Sequence, residues 1–286
     1  MRPARLAALG LLCLLGLLAA VPAPAAGPAA GDPAPLVALR VLRRLPHDPA
    51  AFTQGLALRG GALYESTGLY GASSVRRLDP QSGRVLARAD LEPRLFGEGL
   101  ALCPEGKNAR LVQLTWREGV ILTYDPRTLR ETARARLRGQ GWGLACRGRE
   151  LILSDGTDVL RWLDAATLRE TGRVLRVRDA GKPVERLNEL EWVNGWIVAD
   201  IWEEDRAAVI DPRSGRVAAW LDLAPLRVRL RPEAEVANGV AYDAAERPGE
   251  LWLTGKRWDM LFVVELPEIL RTSPSGPASP PGSARR

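Results

Sequence analysis

Five short segments of this chain can be laid over one another: "FTQGLAL" at 52–58, "FGEGLAL" at 96–102, "QGWGLAC" at 140–146, "RLNELEW" at 186–192 and "VANGVAY" at 236–242. Their central residues, Gly55, Gly99, Gly143, Glu189 and Gly239, follow one another at steps of 44, 44, 46 and 50 residues. That is the period of a propeller blade. Behind each copy lies a second strand-like run ("ALYEST", "RLVQLTW", "ELILSDG", "WIVADIW", "ELWLTGK") and a third ("SVRRLDP", "VILTYDP", "VLRWLDA", "AAVIDPR", "MLFVVEL"). Four units add a fourth, "RVLARADL", "ETARARL", "ETGRVLRV" and "RVAAWLDL", entered through turn sequences such as "DPQSG" and "DPRSG".

The fifth unit ends after its third strand, near Leu266, and leaves an edge to be covered. The unassigned strand-like segment is "LVALRVLRRL" at 36–45. The reading is therefore all-β: a five-bladed β-propeller of four-stranded antiparallel blades, its ring closed by the N-terminal strand as the outer strand of the last blade. It occupies residues 36–271 as one domain. A pair of β-sandwiches is the rival, but nothing in a sandwich demands a five-fold repeat.

The ends read differently. Arg2 and Arg5 precede an apolar run from Leu6 to about Val21, followed by Ala23-Pro24-Ala25. This is the pattern of a cleaved secretory signal over residues 1–25, with 26–35 as a linker. An uncleaved anchor is the alternative, for which the run is short. The expected location is secreted or periplasmic, with no membrane association after cleavage. Residues 272–286, rich in Pro, Ser and Gly, read as a disordered tail.

The formal charge of +6 would suggest nucleic acid, but Arg2, Arg5, Asp32, Arg285 and Arg286 lie in the two ends and the core carries only +3. Its basic residues are scattered among acidic ones, so no nucleic-acid partner is expected. A monomer is expected. Beyond the signal only Cys103 and Cys146 remain; they could pair, which the sequence leaves open. The one histidine, His47, follows Pro46 in an expected turn, so His-based triads and multi-histidine zinc sites are out of reach.

In a propeller the first strand of every blade lines the central channel, so equivalent residues converge. The position before each central residue holds Gln54, Glu98, Trp142, Asn188 and Asn238, a chemically mixed set unlike a packing layer. The glycines on either side of Glu98 would open access to it. The ends of the second strands add Trp116, Asp155, Trp202 and Lys256. Lys256 is one of three lysines in a chain that otherwise uses Arg, which suggests a need for a compact, tunable ammonium. Trp162, Trp192, Trp196, Trp220, Trp252 and Trp258 are assigned to packing between blades. The mouth so assembled suits a small polar ligand with an aliphatic or flat stem.

At these residues the sequence resembles the plant and bacterial type of glutaminyl-peptide cyclotransferase. The blocks "LPHDPAAFTQGL", "YESTGLYGASSVR", "FGEGL", "GWGLA", "SDGT", "RLNELEWVNG", "NGVAYD" and "LTGKRW" carry the resemblance from about Leu42 to Leu266. It implies a five-bladed propeller that converts N-terminal glutamine of peptides or proteins to pyroglutamate with loss of ammonia, without a catalytic zinc or other cofactor. It places the acid/base on Glu98 and the substrate pocket on Phe52, Gln54, Trp116, Trp142, Asn188, Trp202 and Lys256, with Asn188 and Lys256 grouped with Glu98 as catalytic. The sequence departs from the family pattern outside the site, at Asp200. Glu98, Asn188, Glu189 and Glu191 would also bring oxygen donors near the axis, where a structural cation would sit. Two other classes stay open: a calcium-dependent lactonase-type propeller, and a non-catalytic propeller that holds peptide N-termini.

Overall fold

The computed structural model describes residues 31–105 and 108–274. The signal segment, the first half of the linker (26–30) and residues 275–286 lie outside the described residues. Alternating apolar residues fold into five antiparallel sheets, one per repeat. The first blade is Thr53–Arg59, Ala62–Thr67, Ser74–Leu78 and Val85–Asp90, and the second Gly97–Glu105, Asn108–Thr115, Val120–Tyr124 and Glu131–Arg136. The third is Leu144–Arg147, Glu150–Leu153, Val159–Asp164 and Glu170–Arg176. The fourth is Leu187–Val193, Trp196–Ile201, Arg206–Ile210 and Val217–Asp222. The fifth is Ala237–Ala241, Glu250–Gly255 and Met260–Glu265, completed by Val41–Pro46, which pairs antiparallel with Met260–Glu265.

Ring closure thus follows the expectation, with one correction. The segment 36–45 is not a single strand. Leu36–Ala38 pairs in parallel with Val217–Asp222 and gives the fourth blade a fifth strand before the chain crosses to the fifth blade. The same N-terminal segment therefore laces two neighbouring blades. Thr272 and Ser273, grouped with the tail on composition, are hydrogen-bonded to the fourth blade: Trp196 Nε1 donates to Thr272 O (2.7 Å) and Ser273 Oγ to Asn194 O (2.8 Å).

Burial explains why the ring closes. The apolar residues form five clusters, each between two adjacent blades, including one that joins Leu56, Leu58, Leu63 and Leu78 of the first blade to Ala241, Trp252, Leu261 and Val263 of the fifth. Trp162, Trp196, Trp220, Trp252 and Trp258 are buried in these clusters and Trp192 packs against one, as expected. The Asp residues opening the third-to-fourth turns cap them identically, the Oδ1 of Asp79, Asp125, Asp164 and Asp211 each accepting a backbone N–H two residues on.

The recurring glycines serve this packing. A Cβ on Gly55, Gly99 or Gly143 would lie 2.4 Å from Leu100 N, 2.6 Å from Gly143 C or 1.9 Å from Asn188 O, all backbone of the next blade's inner strand. At these three positions the inner strands approach one another closely because they have no side chain there. The fourth blade carries Glu189 at this position, and its Oε1 reaches across to accept the Leu56 N–H of the first blade (2.9 Å).

Cys103 and Cys146 form a disulfide between the inner strands of the second and third blades, with Cα atoms 5.6 Å apart. The bond closes a loop spanning 43 positions, for which the chain-entropy estimate is about 4 kcal/mol. The Cys103→Ser/Cys146→Ser variant is expected to lose about 2–4 kcal/mol of stability in urea unfolding.

Candidate functional site

Three polar site residues, Gln54, Glu98 and Asn188, owe their direction to local breaks in the ladder. The inner strand shifts register between Thr53 and Gly55, Gly97 and Leu100, Leu187 and Leu190, and Ala237 and Val240. These bulges fall on Gln54, Glu98, Asn188 and Asn238. A bulge re-aims a side chain that regular pleating would send elsewhere. The same edge is fixed by backbone hydrogen bonds from Gly68 N to Phe52 O, Trp116 N to Phe96 O, Trp202 N to Arg186 O and Lys256 N to Val236 O, at 2.8–3.0 Å. Immediately after this second-strand position the backbone turns left-handed, at Leu69 (φ 87°), Gly156 (84°), Glu203 (66°) and Arg257 (59°). Three of these four are non-glycine residues in a costly conformation, a pattern concentrated at functional sites.

The result is a cavity of about 770 Å³ at one mouth of the ring. The eight residues that the resemblance assigns to the site line it, Phe52, Gln54, Glu98, Trp116, Trp142, Asn188, Trp202 and Lys256, whereas Asn238, expected to converge with them, lies behind it. Its aromatic walls form two groups of rings. Phe96, which the sequence reading passed over, stands edge-on to Phe52 and Trp116, at 6.3 and 5.5 Å between ring centres, and Trp142 stands edge-on to Trp202 at 5.6 Å. Gly68 leaves the room for Phe96, since a Cβ there would lie 2.3 Å from the ring. Gln140 was also missed, although it opens the block "QGWGLAC". Its Oε1 accepts both the Trp116 and Trp142 indole N–H groups, at 2.9 and 3.0 Å, and so sets the angle between two walls.

The remaining wall comes from Arg227 and from Pro232–Val236, after the short helix Ala224–Arg227. This insertion accounts for the longest step between repeats, the 50 residues from Glu189 to Gly239. It also adds Glu233 and Glu235 to the cavity, beside Glu203 from the fourth blade, so three carboxylates that the sequence did not point to join Glu98 there. Asp155 does not join the cavity. Its Oδ1 accepts Thr157 N and Oγ1, at 3.2 and 2.6 Å, and its Oδ2 lies 3.4 Å from Arg161 Nη2. Turn chemistry claims that carboxylate.

Glu98 and Lys256 are the charged groups deepest in the cavity, 5% and 6% exposed. Burial drives the Glu98 carboxyl well above its ordinary value; Lys256 opposes the rise and Glu118 adds to it. Burial also lowers the Lys256 ammonium, against the pull of Glu98, Glu235 and Asp200. The Lys256 ammonium sits 4.9 Å from the centre of the Phe52 ring. Gln54 Nε2 donates to Glu98 Oε1 at 2.9 Å.

The oxygen donors expected around one axial cation are dispersed. Glu98 and Asn188 line this cavity, Glu191 lines a smaller one at the opposite mouth, and Glu189 is buried. Among the described residues no group of three or more His, Cys, Asp or Glu is placed to hold a metal. His47 is buried and not in a surface turn: Nε2 is paired with Glu65 Oε1 (2.9 Å) and Nδ1 with Trp258 O (2.7 Å), at the seam between the closing strand and the first blade.

Asp200 is fully enclosed, with Oδ2 accepting Gly239 N at 2.9 Å and Oδ1 unpartnered. Burial raises its pKa to about 7, against Gly239 N–H and Lys256. Between the unfolded carboxyl value of about 4 and the folded value the native state holds a proton that the unfolded state has released, so this group lowers stability as pH rises through that window. Asp200→Asn removes the titration. Its stability relative to wild type is expected to rise from pH 4 to pH 7 and then level off, as paired denaturant melts across that range would register.

The sequence model of the glutamine cyclotransferase family matches residues 11–266. The chain belongs to the glutamine cyclotransferase family. A curated glutaminyl-peptide cyclotransferase from Arabidopsis thaliana is 39% identical over 234 residues, 80% of this chain and 71% of that protein. The crystal structure of Myxococcus xanthus glutaminyl cyclase superposes with a TM-score of 0.73 at 34% identity, over 81% of this chain and 97% of that one. Regucalcin from Agrobacterium tumefaciens, a calcium-binding protein, reaches a TM-score of 0.51 at 15% identity, over 81% and 95%. That likeness concerns the fold alone.

Proposed function

We propose that this chain is a glutaminyl-peptide cyclotransferase that converts N-terminal glutamine to pyroglutamate with release of ammonia, without a metal, using Glu98 as proton shuttle. The observation that carries the reading is the placement of Glu98 and Lys256 together at the bottom of an aromatic-walled cavity at the ring mouth. Family membership supports the same chemistry.

The substrate contains both reacting groups, so the site must curl it, move protons and stabilise the charge that develops. The α-amine attacks the γ-carboxamide carbon and a C–N bond forms. Glu98, in its ionised form, takes the proton the amine gives up. The carbonyl oxygen becomes an oxyanion, for which the Lys256 ammonium is the nearby positive charge. Glu98 then returns its proton to the amide nitrogen, the old C–N bond breaks, and ammonia leaves as the oxyanion collapses. A carboxyl held above its ordinary pKa can do both jobs near neutral pH. Phe52, Phe96, Trp116, Trp142 and Trp202 embrace the methylene stem and exclude water, which favours cyclisation over hydrolysis of the carboxamide.

The signal-like N-terminus supports action outside the cytoplasm, and the Cys103–Cys146 bond suits an oxidising compartment. The test is ammonia release from a Gln-Phe dipeptide by the purified chain, with and without EDTA. Equal turnover in both is expected. Turnover abolished by EDTA and restored by calcium would contradict metal independence, and binding without turnover would favour the peptide-holding alternative.

A further inference from the structure

The hydrogen bonds behind Glu98 form a chain whose polarity can be read from a fixed point. Asn238, on the bulge of the fifth blade's inner strand, is fully buried, and its Nδ2 lies 3.1 Å from Thr53 O and 2.6 Å from Gln54 Oε1. Thr53 O is a backbone carbonyl and can only accept. The Asn238 amide must therefore present its nitrogen to it, because the opposite orientation would set two carbonyl oxygens against each other. With both Nδ2 hydrogens committed, the Gln54 atom facing Asn238 must be its oxygen. Gln54 is left with its N–H group turned toward Glu98 Oε1, at 2.9 Å.

We propose that Asn238 is a positioning residue that locks the Gln54 amide as a donor to one Glu98 oxygen and so reserves the other oxygen for the substrate. The proposal rests on the cyclotransferase reading for its catalytic meaning. A donor on Oε1 stabilises the ionised carboxylate, the form that accepts the amine proton, and directs the transferred proton to Oε2. A side-chain amide without the lock could present either end. With its oxygen toward Glu98 it would accept a hydrogen bond from the protonated acid and hold the shuttle in the form that cannot start the reaction. Asn238 does not line the cavity, so its influence passes through Gln54.

Asn238→Asp offers Gln54 an acceptor in place of a donor and reverses the chain. Asn238→Ala removes the lock without adding a charge. Lys256 and Glu118 act electrostatically on Glu98, and Arg117, Glu203, Arg227, Glu233 and Glu235 line the same cavity; both variants leave all seven in place. Two readouts are paired. The first is the pH profile of kcat/KM on a Gln-Phe dipeptide. The second is titration of Glu98 by carboxyl ¹³C NMR, assigned by its disappearance in Glu98→Gln, which needs no turnover.

In Asn238→Asp the Glu98 titration and the acid limb of the profile are expected to move up together by about one pH unit or more. A fall in kcat on the order of tenfold or more should accompany this, with KM little changed. Asn238→Ala should shift both in the same direction by less. Asn238→Ala decides, because the added carboxylate of Asn238→Asp would by itself raise Glu98 even with Gln54 unmoved. A folded variant in which Glu98 titrates as in wild type would overturn the lock, however much activity it lost. An inactive wild type whose Glu98 still responds to Asn238 would instead overturn the cyclotransferase reading and leave the lock standing.

Discussion

Replacing Glu98 by Gln is expected to reduce kcat on N-terminal glutamine by about 10²–10⁴-fold, the usual contribution of a positioned acid/base, while KM and the melting temperature stay close to wild type. The substitution preserves shape. The Gln side-chain oxygen can still accept the Gln54 N–H that Glu98 Oε1 accepts now, and it removes a buried charge whose ionisation burial already opposes. What disappears is the capacity to take a proton and return it. In wild type the acid limb of kcat/KM should follow the raised Glu98 pKa, because activity is lost as the carboxylate protonates, and this limb should be absent from the residual activity of the variant. Steady-state kinetics over pH, with circular dichroism as the folding control, checks both statements.

Lys256 carries the second large effect. Lys256→Met keeps the aliphatic stem in the cavity and removes the ammonium, and a loss of about 10²–10³-fold in kcat is expected for a missing stabiliser of oxyanion charge. A further consequence separates it from a packing defect. Lys256 is the group that holds the Glu98 pKa down, so its removal should push the acid limb of the remaining activity upward. Lys256→Arg should not restore the wild-type rate, since a planar guanidinium differs in size and reach from an ammonium seated over the Phe52 ring. The pH profile of Lys256→Met is the decisive measurement; a lower rate with an unmoved acid limb would make Lys256 a binding group only.

The architecture was legible because a propeller writes its period into the sequence. One inner-strand pattern recurring at nearly equal steps fixes blade count, strand order and the residues that meet at the axis, and all eight proposed site residues do line one cavity. The misreadings have physical causes. Asp155 holds a mouth position by register, yet a local Asp-Gly-Thr turn satisfies its carboxylate more cheaply than the cavity would. The segment 36–45 has no glycine or internal proline to mark a break, so nothing local shows that it leaves one blade for the next after Ala38. Phe96, Gln140 and Asn238 acquire their parts only from neighbours brought close by the ring: Gly68 making room, two indoles converging on one amide oxygen, and Thr53 O fixing an amide from another blade. The wall at 232–236 left a trace, the extra length of one repeat, but no pattern within it says where it folds.

The central claim is that the α-amine itself is the nucleophile and Glu98 its base. The most direct test compares Gln-Phe with its Nα-acetylated form, following both ammonia and the peptide product by mass spectrometry. Ammonia and pyroglutamyl-Phe from the free-amine dipeptide, with neither formed from the acetylated one, is the expected result. Ammonia from both, with glutamyl peptides as products, would make the enzyme a hydrolase and contradict the mechanism.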